Sequence, residues 1–110
     1  MTTEKPFVAI LLYVSTSDAP GHQPLYREDI VLLYARDEQE AREAAQRHAD
    51  QETGSYHNEA GDLLTLSLKH IVDVAQALYD DIDRGADLYA RHFTDYESYR
   101  RFEPLLSEKD

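Results

Sequence analysis

Residues Pro24 to Glu43 read PLYREDIVLLYARDEQEARE, a stretch that changes character three times along its length. It begins with aromatic and charged side chains, becomes apolar, and ends in acids, bases and alanines. Over its first half Tyr26, Glu28 and Ile30 alternate with Arg27, Asp29 and Val31, the two-residue period of a strand. From Ile30 to Ala35 both parities are apolar, so a strand over Tyr26–Arg36 starts in solvent and finishes buried. Asp37-Glu38-Gln39-Glu40 then supplies a helix start. The Asp37 carboxylate can accept from unpaired backbone N–H groups while Glu40 reaches back, and acids in a first turn complement the helix dipole. Ala41, Ala44, Ala45, His48 and Ala49 fall on one helical face, and Gly54 is a natural stop. A face of alanine lets a helix lie close against a sheet.

Upstream, Phe7–Val14 is apolar on both parities and too short for a usual helix, which predicts a strand covered on both faces. Ser15 to Pro24, with Asp18, Pro20, Gly21 and Pro24, is a loop. Downstream, Tyr56-His57-Asn58 and Leu63–Val72 flank a hairpin turn at Glu59-Ala60-Gly61-Asp62. The second of these strands alternates, with Leu64, Leu66, Leu68, His70 and Val72 on one face and Thr65, Ser67 and Lys69 on the other. Residues 73–84 fit either a helix or a bent continuation of that strand, and the strand is favoured. Asp83-Arg84-Gly85 is a turn, and Asp87–Phe93 a short last strand. Thr94-Asp95-Tyr96-Glu97 forms a second capping box, opening a helix over about 95–106 with Tyr96, Tyr99, Phe102 and Leu106 near one face and Pro104 near its end. The tail Ser107–Asp110 is expected to fray. The order β-β-α-β-β-β-α predicts an α+β fold, a single antiparallel sheet with helices packed on it. Residues 1–110 read as one domain, with a core of about 6–93.

Composition narrows the function. The chain has 110 residues, no cysteine, and 22 Asp and Glu against 11 Lys and Arg, a formal net charge of −11. Acids outnumber bases by 4 to 3 over residues 1–36, 8 to 2 over 37–62 and 10 to 6 over 63–110. Such a field repels phosphate backbones and anionic lipid, which argues against nucleic-acid or membrane partners, and it would draw in a basic protein surface. Missing cysteine excludes disulfides and thiolate chemistry. Met1–Pro6 lacks the basic and apolar pattern of a secretory signal, and no apolar run approaches the ~20 residues of a membrane helix. A cytoplasmic protein is expected.

The residues also carry a resemblance. Leu25-Tyr26-Arg27-Glu28 leading into Ile30-Val31-Leu32, Ala35 before the Asp37–Ala45 helix, Tyr56-His57-Asn58-Glu59-Ala60-Gly61-Asp62, and Gly85-Ala86-Asp87-Leu88-Tyr89-Ala90-Arg91-His92-Phe93 occur in an order and spacing that resembles a small bacterial family known only as a domain of unknown function, numbered 4288. The likeness spans roughly residues 7–93. It implies the fold and a bacterial source, and it assigns no activity.

Strong catalytic and cofactor motifs are missing: no P-loop, dinucleotide glycine pattern, nucleophile elbow or paired-histidine zinc helix. No catalytic residue, metal ligand or cofactor is therefore assigned, and an enzyme is not the favoured reading. The histidines are scattered, and His48 and His70 read as buried, hydrogen-bonded side chains. Asp80–Asp87 superficially resembles a calcium loop, but from Asp81 the glycine falls at position 5 and His92 at position 12, where a bidentate Glu is needed. Tyrosine stands out, with eight against no tryptophan. A tyrosine buries a ring and still seeks a partner for its hydroxyl, which suits half-wet sheets and binding surfaces. Tyr26, Arg27 and Glu28, with Tyr89, Arg91 and His92, form the best ligand- or partner-binding constellation if their strands lie side by side.

Two functions follow. The first is a non-enzymatic protein-binding module, immunity- or antitoxin-like in its sharpest form, presenting Glu38, Glu40, Glu43, Asp50 and Glu52 to a basic partner. The alternative is a small-molecule-binding protein or enzyme using the Tyr/Arg/Glu pocket. A homodimer fits either, since Phe7–Val14 is apolar on both faces and few helices are available to cover the sheet.

Overall fold

The computed structural model describes residues 3–106; the Ser107–Asp110 tail lies outside them. Four strands and two helices follow in the order β1 (Lys5–Ser17), β2 (Leu25–Ala35), α1 (Glu38–Glu52), β3 (Gly54–His57), β4 (Leu63–Gln76) and α2 (Tyr96–Phe102). The strands form one antiparallel sheet in the order β2-β1-β4-β3. The α+β class is as expected, and the strand after β4 is the difference. Asp87–Phe93 has no regular structure. A strand needs a ladder partner, and this segment returns only one main-chain bond of that kind, from Leu78 N to Leu88 O at 3.3 Å. The continuation of β4 past Val72 does form, as far as Gln76.

The sheet's central strand decides the core. Directly opposed residues in antiparallel strands share a face. Phe7, Ala9, Leu11 and Tyr13 of β1 therefore lie beside Leu33, Val31, Asp29 and Arg27 of β2. This side receives α1, whose Ala41, Ala45 and Ala49 are fully buried against it. Three small side chains one helical turn apart bring the helix close, and Leu11, Tyr13, Phe7 and Val74 fill the space between the layers. Asp37 caps α1 as expected, its carboxylate accepting from Glu40 N at 2.8 Å, while Glu40 accepts from Arg36 N at 3.1 Å. At the other end Thr53 is the C-cap, its N–H bonded to Ala49 O, and Gly54 already belongs to β3.

The simple alternation along β4 fails at two places. Opposite β1 the register skips Val72 between Asp73 and Ile71, and skips Lys69 between His70 and Leu68. Each bulge adds a residue and flips the parity. The core side of β4 therefore runs Leu66, Leu68, Ile71, Val74, and His70 and Val72 are exposed. His70, read from the sequence as buried, stands on the sheet's other face beside Leu12.

The hairpin between β3 and β4 turns where the sequence placed it. Gly61 holds φ +86°, which an L side chain rarely adopts. Asn58 closes the turn, its N–H donating to Asp62 O at 3.0 Å and its side chain accepting from Asp62 N at 3.0 Å. α2 is shorter than the span of about 95–106 read from the sequence, ending at Phe102 with Glu103 as its C-cap just before Pro104. Asp95 caps it through Ser98 N at 3.1 Å. No residue of α2 is buried, and the helix packs against none of the other elements.

Candidate functional site

The β2 residues of the Tyr/Arg/Glu constellation divide between the two faces of the sheet, and Tyr89, Arg91 and His92 come from the irregular segment after β4. Arg27 projects on the α1 side, opposite Tyr13. Its guanidinium grips Asp29 through two bonds, Nε to Oδ1 at 3.0 Å and Nη2 to Oδ2 at 3.2 Å. It also sits 4.9 Å from the centroid of the Tyr13 ring, a cation–π contact. Arg27 thus engages Asp29 and not Glu28, which points the other way. Tyr26 and Glu28 stand on the open face, opposite Val14 and Leu12.

Tyr89 reaches the open face without being on a strand. Its hydroxyl donates to the carboxylate of Asp73, which lies opposite Ile10 on that face. This bond, with burial and then the negative charges of Asp73 and Glu28, raises the Tyr89 pKa above its usual 10.0, while Arg91 opposes the rise. Glu28, Asp73, Tyr89 and Arg91 are therefore electrostatic neighbours. His92 and Tyr26 are exposed. The structure gathers one acid-rich tyrosine site on the open face and leaves Arg27 across the sheet.

Arg27 instead borders a cleft of about 360 Å³ lined by Ser15, Leu25, Tyr56, Leu64, Thr65 and Leu66, residues of all four strands. Nearby Tyr13 is wholly buried, and its hydroxyl has no hydrogen-bond partner among the described residues. Burial raises the Tyr13 pKa, the charges of Asp29 and Glu52 add to the rise, and Arg27 opposes it. Sequence reading missed Tyr56 as a neighbour of Arg27. Its parity with Leu64 was available in principle, but the order that sets β1 and β4 between β2 and β3 was not.

The five acids proposed to face a partner all lie on α1, and they are not equivalent. Glu40 is drawn back to Arg36, 2.8 Å away, and this bond holds its carboxyl below the usual carboxylate value. Glu38 stands 3.6 Å from Arg42. Asp50 accepts from Gln46 at 2.9 Å. All but Glu40 are exposed: Glu43 and Asp50 lie on the side of the helix turned away from the alanines, whereas Glu38 and Glu52, its first and last residues, share the alanine side at the two ends.

A family model described as a domain of unknown function, DUF4288, matches residues 6–90. The chain belongs to that family. No curated protein and no solved structure matches it. The DUF4288 match takes in all four strands, α1 and the Tyr89–Asp73 contact, while α2 lies beyond it. No described helix is long and apolar enough to cross a membrane.

Proposed function

We propose that this DUF4288 chain is a non-enzymatic protein-binding module that receives a basic partner on the exposed acids of α1, as an immunity- or antitoxin-like cover would. The observation that carries this reading is the set of exposed acids Glu38, Glu43, Asp50 and Glu52, offset on the helix only by Arg42 and Arg47, in a chain of net charge −11. An acidic face on a rigid, well-packed helix speeds and orients association with a basic surface, and it disfavours acidic ones. The division of Arg27 from Glu28 weighs against the alternative of a small-molecule site built from both. Affinity capture from host lysate, with the tag at one terminus, tests the proposal. A polypeptide retained in stoichiometric amount should be lost on raising salt, and lost from the triple variant E43K/D50K/E52K. Retention that ignores both changes would contradict it.

A further inference from the structure

The face of the sheet away from α1 is only half covered. Val8 and Ile10 of β1 lie on this face yet are 1% and 2% exposed, because the segment after β4 folds back near them. Ala77 N donates to Pro6 O at 2.9 Å, and Tyr89 ties the returning chain to Asp73. That cover stops short of β2. Tyr26, Ile30, Leu32 and Tyr34 form a stripe along the same face and remain 55%, 67%, 42% and 50% exposed. A second apolar surface stands idle in the same chain. Tyr99 of α2 stacks on Phe93, centroids 5.1 Å apart, but Tyr96, Phe102 and Leu105 meet nothing comparable and Phe102 is 76% exposed.

The amount of surface left uncovered argues for a protein occupant. The chain exposes 8488 Å², against about 6,200 Å² for a compact monomer of its mass. Its radius of gyration is 17.4 Å, against about 13 Å for a compact chain of this length. The excess, roughly 2,000 Å², is well above the ~800 Å² each partner buries in a stable interface.

We infer that the occupant is a second copy of this chain, the arm carrying α2 of each copy lying across the β2 stripe of the other. The two idle surfaces are apolar and of matching kind, and a two-fold exchange covers both at once. Their charges also fit. Among the described residues Glu28, which borders the stripe, makes no ion pair, and the guanidinium of Arg101 on α2 reaches only Ser98 Oγ, at 3.4 Å. The acidic side of α1 lies on the opposite face of the sheet, so two chains of net charge −11 can meet without bringing those helices together. This association uses none of the residues of the proposed partner face and stands apart from it.

Sedimentation equilibrium of the full chain across the micromolar range tests it, because self-association makes the mass concentration-dependent. The expected mass is twice the 12.7 kDa of one chain. Ile30→Lys and Phe102→Lys alter side chains exposed in the single chain, so each should keep the native circular dichroism while weakening the dimer at least about tenfold. As the chain has no cysteine, a spin label on Glu97→Cys is unique. Mixed with unlabelled ¹⁵N chain, it should broaden the Leu32 and Tyr34 amides of the other copy. A single-chain mass throughout, a dimer indifferent to both lysine substitutions, or Leu32 and Tyr34 amides of the ¹⁵N copy left unbroadened would overturn the inference.

Discussion

Tyr13 is the residue at which composition, packing and charge meet most tightly. Its ring fills the space between β1 and α1, under the guanidinium of Arg27, and its hydroxyl is buried without a partner among the described residues. A buried polar atom that loses water and gains no bond costs about 1–3 kcal/mol. Tyr13→Phe keeps the ring and the cation–π contact while removing the orphan oxygen. It should raise stability by about 1 kcal/mol in urea unfolding; a loss would mean that the hydroxyl is bonded in solution. Tyr89 shows the opposite economy, a hydroxyl satisfied by Asp73. Its folded pKa lies above the usual 10.0, so in alkali the unfolded chain ionises first. The stabilisation is fully present below pH 10 and is lost as pH rises through the folded value. Unfolding followed by fluorescence from neutral pH into strong alkali should show this loss in the parent chain and a shallower one in Tyr89→Phe.

At the scale of elements, α1 was the most legible in the sequence and the chain after β4 the least. Asp37, Glu40 and the alanine face specify the helix through contacts within a few residues, so local reading sufficed. β1 and β2 were legible because apolar side chains of both parities leave a strand little choice but burial. The bulges at Lys69 and Val72 were not. They are set by register against β1, and the sequence of β4 alone continues its alternation through both. Asp87–Phe93 has strand-like composition but finds no edge to pair with. The same limit governed the site. Parity along β2 correctly set Arg27 and Glu28 on opposite faces, but Asp73 entered the Tyr89 neighbourhood only through a bulge and a returning loop. The close approach of α1 to the sheet has its own consequence. Ala45 has no room to grow, so Ala45→Leu should cost about 1–3 kcal/mol through overpacking, read as a lower urea midpoint. An unchanged midpoint would place the helix farther from the sheet.

For the whole molecule, the two faces of the sheet divide the work. One is closed by α1, which turns Glu43 and Asp50 outward and exposes Glu38 and Glu52 at its ends; the other is left partly open, with an apolar stripe on β2 and an unpacked arm beyond it. The first suits a basic partner and the second a copy of the same chain. Both assignments place function on surface left for other proteins, and native mass spectrometry of the protein gently isolated from its host reads them together. The expected spectrum contains two copies of the chain, with a second, basic polypeptide bound to the pair. Single chains alone, at the concentration reached in the cell, would contradict it.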